Sequence, residues 1–361
     1  MRADNRMGWC RNIDRLKDND SSGYVVEYEL ASDSYIPGVF DYQNGKILCG
    51  LLTLNINSSG LYKYLLKIKF APHDGFTPKL TATKRGYAFH GGIAGELISI
   101  FSLYYQCRFF LLSSYFGDLT STRIKIKTEF ATTFRPCRPY FDPSFYPGGN
   151  RNFAVGISEF LDELYRVDVR YHQKLVLACF HYARALKEFG IDDEMVFIRL
   201  VSAVEAVSGF TKLDKRDDLF DGKEFEEIVR TDRLSLAATD ELRRLFHNRR
   251  AQQRFKRFIE KYSKGFFKGG NFKAPHTRVK KADLSKTLDA IYSSRSDYLH
   301  NGEAMFLSLP MRGGDKWDTD PAFEMIIDNR RFPKKKKLPY SSFFKRLVRY
   351  CLLAFIKEIS G

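Results

Sequence analysis

Up to about residue 150, the apolar positions of this chain come in short runs bounded by turn-forming residues. Beyond it they recur every three or four positions over long stretches. The first pattern predicts strands and the second predicts helices. Residues 24–30, 47–54 and 62–70 are the strand-like runs, set apart by Asn-Gly, Ser-Ser-Gly and Pro-His-Asp-Gly turn signals. Residues 123–127 alternate cation and isoleucine, the pattern of a half-exposed strand. Gly91, Gly92 and Gly95 open a helix predicted over 93–114. They match neither GxGxxG nor GxxxxGK[ST], so helix entry and close packing explain them better than a phosphate loop. Residues 1–20 are polar and are expected to be loose.

Four prolines (Pro136, Pro139, Pro143, Pro147) and a Gly-Gly pair set the expected domain boundary within 135–150. Helices are predicted beyond it. Residues 153–166 form one; 169–189 form the next, stopped by Gly190. Residues 195–207 follow, capped by Asp192 and ended by Gly209. Residues 213–231 are charged and read partly as loop. Thr239 or Asp240 is placed to cap a long basic helix. Asp283 is placed to cap a helix through Arg295, and Gly302 to terminate it. A last helix, 341–359, gathers Phe344, Leu347, Val348, Cys351, Leu352 and Phe355 on one side. The expected fold class is α+β: a flexible N-terminus (1–20), a β-rich domain with one long helix (21–150), and an all-α helical bundle (151–361).

Length permits this division, since 361 residues can build two cores. A hydrophobic content of 44% with 15% aromatics excludes wholesale disorder. The longest apolar stretch, 93–114, contains Glu96, Gln106 and Arg108, which are costly in lipid, so a buried helix is expected and no membrane span. The first residues lack an apolar signal-peptide core. The six cysteines lie far apart, and the seven histidines show neither HExxH nor His-x3-His spacing. Reduced cysteines, a cytoplasmic location, and no metal or cofactor are therefore expected.

Charge changes the picture more. Residues 243–281 hold fourteen Lys/Arg against one acid, Glu260, and so carry +13 of the chain's net +16. Phe246, Phe255, Phe258, Tyr262, Phe266, Phe267 and Phe272 are interleaved with them. Cations follow a phosphate backbone and rings stack on bases, which suggests an RNA-binding surface carried by Arg249, Arg250, Arg254, Lys256 and Arg257. The alternative is a helix with a solvated basic face whose aromatics belong to the core; Phe255, Phe258 and Tyr262 lie close to helical spacing. Residues 265–281 are less periodic and read as a basic loop.

Two charges sit where apolar residues are expected. Arg295 continues the stripe Leu284, Leu288, Ile291, and Glu205 shares a face with Ile198, Val201 and Val204. Pairing Glu205 with Arg295 satisfies both at far lower cost than burying either alone. Five residues after Arg295 stands His300, a rotation of about 140° in an ideal helix. The two converge if the helix ends near Leu299, or if they meet across a two-fold axis with a second copy. An imidazole can then move a proton on RNA while a guanidinium neutralises phosphate. Otherwise His300 is a helix-end residue beside a structural ion pair.

The run Arg295-Ser-Asp-Tyr-Leu-His300 resembles the R-x(4–6)-H signature of HEPN domains. Residues 95–99 running to Cys107-Arg108, residues 200–207, and Leu338-Pro339 followed by residues 346–350 are similar to the Apea-like HEPN group. The likeness covers residues 152–361 and, more loosely, 93–115. It implies an all-helical bundle that dimerises so that two motifs share one cleft. It also implies a metal-independent endoribonuclease in which the ribose 2′-hydroxyl attacks the adjacent phosphate. Arg295 maps to phosphate stabilisation and His300 to acid–base catalysis. Ser296 occupies the position where many members carry Asn or Asp. The resemblance further implies a toxin–antitoxin or antiphage role with an antitoxin or regulatory partner. The alternative function is a non-catalytic module binding RNA or a partner protein.

Overall fold

The computed structural model describes residues 6–18, 23–32, 40–42, 49–56, 62–71, 92–118, 121–127, 156–212, 227, 235–268, 278–305, 307, 318–319, 324–327, 330–333 and 338–361. The architecture is α+β, and the chain forms two compact units: residues 1–192 with 353–361, and residues 193–352. The proline-rich 135–150 segment lies outside the described residues, as do 213–226, 228–231 and most of the 265–281 loop.

The first unit contains strands β1 (Tyr24–Ser32), β2 (Phe40–Asp41), β3 (Cys49–Ile56), β4 (Tyr62–Phe70), β5 (Phe110–Asp118) and β6 (Ser121–Lys127). They form one antiparallel sheet in the order β2-β3-β4-β1-β5-β6. The period-2 pattern sorts the faces of β4. Tyr64, Leu66 and Ile68 are buried, whereas Lys67 is exposed and pairs at 2.7 Å with Glu27, directly opposite on β1.

Two expectations are corrected here. Residues 1–20 are not loose throughout: helix α1 (Gly8–Asp18) buries Trp9, Cys10, Asn12, Ile13 and Leu16. Those positions share one helical face, and the polar average of the segment conceals them. Asn12 Nδ2 donates to the Lys69 carbonyl at 2.8 Å, and its Oδ1 accepts from Ala71 N at 3.0 Å, tying α1 to the end of β4. The apolar stretch 93–114 is not one helix either. It is helix α2 (Gly92–Tyr105) followed by β5. Gln106 takes φ 57°, a left-handed conformation through which an α-helix does not continue. Glu96 of α2 is buried because it receives the first free amides of α1: Gly8 N at 3.1 Å and Trp9 N at 3.0 Å.

Helices α3 (Gly156–Arg166) and α4 (Val169–Glu188) belong to this unit too. Asp168 caps α4 through Arg170 N, and Gly190 follows the helix with φ 77°. His172 is buried and bridges backbone groups. Its Nδ1 accepts from Met7 N at 3.0 Å, so Nε2 carries the proton donated to the Val167 carbonyl at 2.8 Å.

The second unit holds helices α5 (Asp193–Ser208), α6 (Leu236–Tyr262) and α7 (Leu284–Asn301), and most of α8 (Ser341–Ser360). Its core stacks Phe197 on Phe344 (5.5 Å between centroids) and tilts Phe255 against Tyr292 (5.3 Å). The expectation of an all-α region after 150 is corrected by a hairpin, β7 (Glu324–Ile327) with β8 (Arg330–Pro333), joined by residues 328–329. Asp-Asn between two short apolar-containing runs is hairpin chemistry, masked in the sequence by the lysine run that follows. The long basic helix begins earlier than expected. Ser235 caps it by accepting from Ala238 N, which places Thr239 and Asp240 inside the first turns. Asp283 stands at the N-cap of α7 without a side-chain capping bond. Among the described residues, no helix is long and apolar enough to cross a membrane.

Candidate functional site

The Glu205–Arg295 contact is present. Helix α5 buries Val201 and Val204, and α7 buries Leu288 and Ile291, all at 0% exposure, which brings the next residue on each stripe into reach. Arg295 Nη2 donates to Glu205 Oε2 at 3.0 Å. The side chains retain 20% and 25% of their exposure, so the pair lies at the edge of the core. Tyr292, one turn before Arg295 on α7, donates from its hydroxyl to Glu205 Oε1 at 2.8 Å. Burial and the Glu205 carboxylate push the Tyr292 phenol well up, so it stays a protonated donor at neutral pH. The guanidinium also lies 5.8 Å from the Tyr292 ring centroid. Tyr292 is the member that sequence reasoning missed; its signal is the i, i+3 spacing to Arg295.

Arg295 is therefore held along one edge. Its Nε is buried and makes no hydrogen bond among the described residues. Its Nη1 has no protein partner there either. Ser296 is half-buried, beside the arginine. His300 is exposed in the last turn of α7. The helix does not end near Leu299 but runs to Asn301. It closes on Gly302 at φ 68°, whose amide reaches the Tyr298 carbonyl at 3.2 Å, while Glu303 N reaches that of Asp297 at 3.4 Å. Early termination thus does not bring His300 and Arg295 together. Within one chain they project from α7 about 140° apart.

The basic segment divides by function. Phe255, Phe258, Tyr262 and Phe266 are buried, at 0, 0, 7 and 3% exposure, so these rings serve the core and not base stacking. The side chains of Phe246 and Arg249, and Phe272 entirely, lie outside the described residues. Lys256 is engaged: its Nζ lies 2.7 Å from Asp289 Oδ2, while Gln252 Nε2 donates to Asp289 Oδ1 at 3.0 Å. Arg250 and Arg254 are half-buried on α6, and Arg257 faces Glu260 at 3.9 Å.

Sequence reading also missed a cleft of about 520 Å³ where α5 and α6 end. Phe210, Thr211 and Lys212 line it from beyond α5; Arg257, Glu260, Lys261 and Lys264 line it from α6 and just past it. The α5 side is unremarkable in sequence, because Gly209-Phe210-Thr211-Lys212 reads as an ordinary helix exit. Among the described residues, no group of three or more His, Cys, Asp or Glu is placed to hold a metal ion. No family model matches the chain, and no curated protein or solved structure matches it either.

Proposed function

We propose that the helical unit is an RNA-cleaving module of the HEPN type, working without metal, whose active site is completed by a second copy of the chain. The observation that supports the reading is the contrast within α7. His300 stands exposed at the helix end, while Arg295 is held by Glu205, itself held by Tyr292, and its Nη1 makes no hydrogen bond among the described residues. A clamped guanidinium is oriented before phosphate arrives, which lowers the cost of stabilising charge in the transition state. The ribose 2′-hydroxyl attacks the adjacent phosphorus as His300 moves the proton. The bond to the 5′-oxygen breaks, and that oxygen is protonated. The products are a 2′,3′-cyclic phosphate and a 5′-hydroxyl. Since Arg295 and His300 diverge on one helix, the arginine of one copy works with the histidine of the other.

Incubation of the full chain with single-stranded RNA in excess EDTA tests this. Cleavage by the wild type, falling about 100-fold or more in His300→Ala at unchanged melting temperature, is the expected result. Cleavage that survives His300→Ala refutes it. A second reading, RNA binding without cleavage, is favoured by the commitment of Arg295 to Glu205. Undiminished binding with no cleavage by the wild type selects it.

A further inference from the structure

We infer that the cleft at the ends of α5 and α6 is a subsite for one nucleotide step of single-stranded RNA, its phosphate held by Lys212, Lys264 and Thr211 and its base laid on Phe210. The inference rests on the RNA reading above but not on catalysis. Among the described residues, four cations line the cleft against one carboxylate. That carboxylate, Glu260, faces Arg257 at 3.9 Å, and Lys261 donates to the Tyr262 hydroxyl at 3.0 Å. Lys212 and Lys264 are exposed and have no anionic partner among the described residues. Cations at helix C-termini are expected from the helix dipole, but the dipole does not account for what sits between them.

Thr211 is 9% exposed, and its Oγ1 is buried with no hydrogen-bond partner among the described residues. A buried hydroxyl left unsatisfied is costly, and a χ1 rotation that turns it to an anionic oxygen in the cleft satisfies it. The turn holds this residue in place: Phe210 N reaches the Val207 carbonyl at 3.1 Å and Thr211 N reaches that of Ser208 at 2.9 Å. Phe210 lines the same cleft and keeps 37% of its exposure, an unusual position for a large ring beside four cations. Ring, hydroxyl and ammonium groups together match an unstacked base next to a phosphate. A duplex, whose bases are stacked, offers no ring to Phe210.

The test uses the full chain and a labelled single-stranded oligoribonucleotide fully 2′-O-methylated, which cannot be cleaved. Lys212→Glu/Lys264→Glu should weaken binding at least tenfold and reduce the slope of log affinity against log salt by about 0.7 for each phosphate no longer neutralised. Lys174→Glu/Lys357→Glu, exposed positions of the first unit with the same change in net charge, should weaken it less than threefold. Thr211→Val should weaken it several-fold without lowering the melting temperature. Phe210→Ala should weaken the single strand but not binding of inorganic triphosphate. Equal losses in the two double variants, or none in either, overturn the subsite. Wild-type binding that the cleft variants leave intact overturns the subsite alone and leaves the RNA reading standing. Cleft-dependent binding of this oligonucleotide, together with no cleavage of unmodified RNA, supports the subsite and removes only the nuclease.

Discussion

Arg295 and Glu205, ninety residues apart in the chain, meet through an Nη2–Oε2 bond of 3.0 Å at the edge of a core built by the stripes that lead up to them. The contact makes the arginine a fixed donor rather than a floating charge. It also divides α7 into a clamped half and an open end.

That clamp is measurable as a coupling. Urea unfolding of the wild type, Glu205→Gln, Arg295→Gln and the double variant should give a coupling energy of about 1–2 kcal/mol, as expected for a partly exposed, charge-assisted bond. Strict additivity contradicts the contact. Tyr292→Phe should cost about 1 kcal/mol, since it strips one donor from Glu205 and leaves the packing against Phe255 in place.

Asp318 knots three segments of the second unit. Oδ1 accepts from Arg346 Nη2 at 2.7 Å, Oδ2 from Val279 N at 3.1 Å, and its carbonyl from Tyr340 N at 2.8 Å. Burial pushes its carboxyl up to about 6, against the pull of Arg346. An unfolded aspartate titrates near 3.9, so between about pH 4 and 6 the native state binds more proton than the unfolded state. Stability contributed at this site is therefore greatest at the acid end and falls as pH rises through that window. The unfolding free energy of the wild type minus that of Asp318→Asn should drop by about 2 kcal/mol from pH 4 to 7, at about 1.4 kcal/mol per pKa unit with the rest of the change lying below pH 4. Urea titrations across that range check it; a flat difference rules it out.

Gly302 closes α7 at φ 68° with open space around its α-carbon. Gly302→Ala should destabilise the fold by about 1 kcal/mol through backbone strain alone, with no steric clash to relieve. Because His300 lies two residues away, amide exchange over 298–303 should quicken in the same variant. Unchanged stability would mean that the left-handed cap is not formed.

Glu96 receives both leading amides of α1. Glu96→Ala should cost about 2–3 kcal/mol by leaving two donors without acceptors, and Glu96→Gln less, since one acceptor oxygen remains. Thermal unfolding of both variants checks the order. Gly8→Ala is also expected to destabilise, because a β-carbon there would lie 3.1 Å from the Glu96 carboxylate oxygens.

Several of these relationships were legible in the residues themselves. One charge on each of two apolar stripes pointed to the Glu205–Arg295 pair, and Gly190 and Gly302 marked helix ends because glycine enters left-handed backbone freely, as both do at φ 77° and 68°. What stayed hidden has equally specific causes. Helix α1 disappears in a segment whose average is polar. The break at Gln106 disappears in a stretch that is apolar on every side, where neither period dominates. The aromatic rings between arginines carry the same letters whether they stack on bases or fill a core; only the burial of Phe255, Phe258 and Tyr262 decides. The cleft around Thr211 joins residues some fifty positions apart, and no local pattern announces it.

The claim that one active site needs two chains is tested most directly by mixing two inactive variants. His300→Ala leaves the arginine intact. Arg295→Lys keeps a cation for Glu205 but loses the planar guanidinium. Each alone should fail to cleave RNA in EDTA. Mixed in equal amounts and allowed to exchange subunits, they should recover roughly a quarter of wild-type cleavage, because half the dimers are mixed and each holds one intact pairing. A mixture that stays silent while the wild type cleaves would contradict the shared site, and a silent wild type would contradict the nuclease itself.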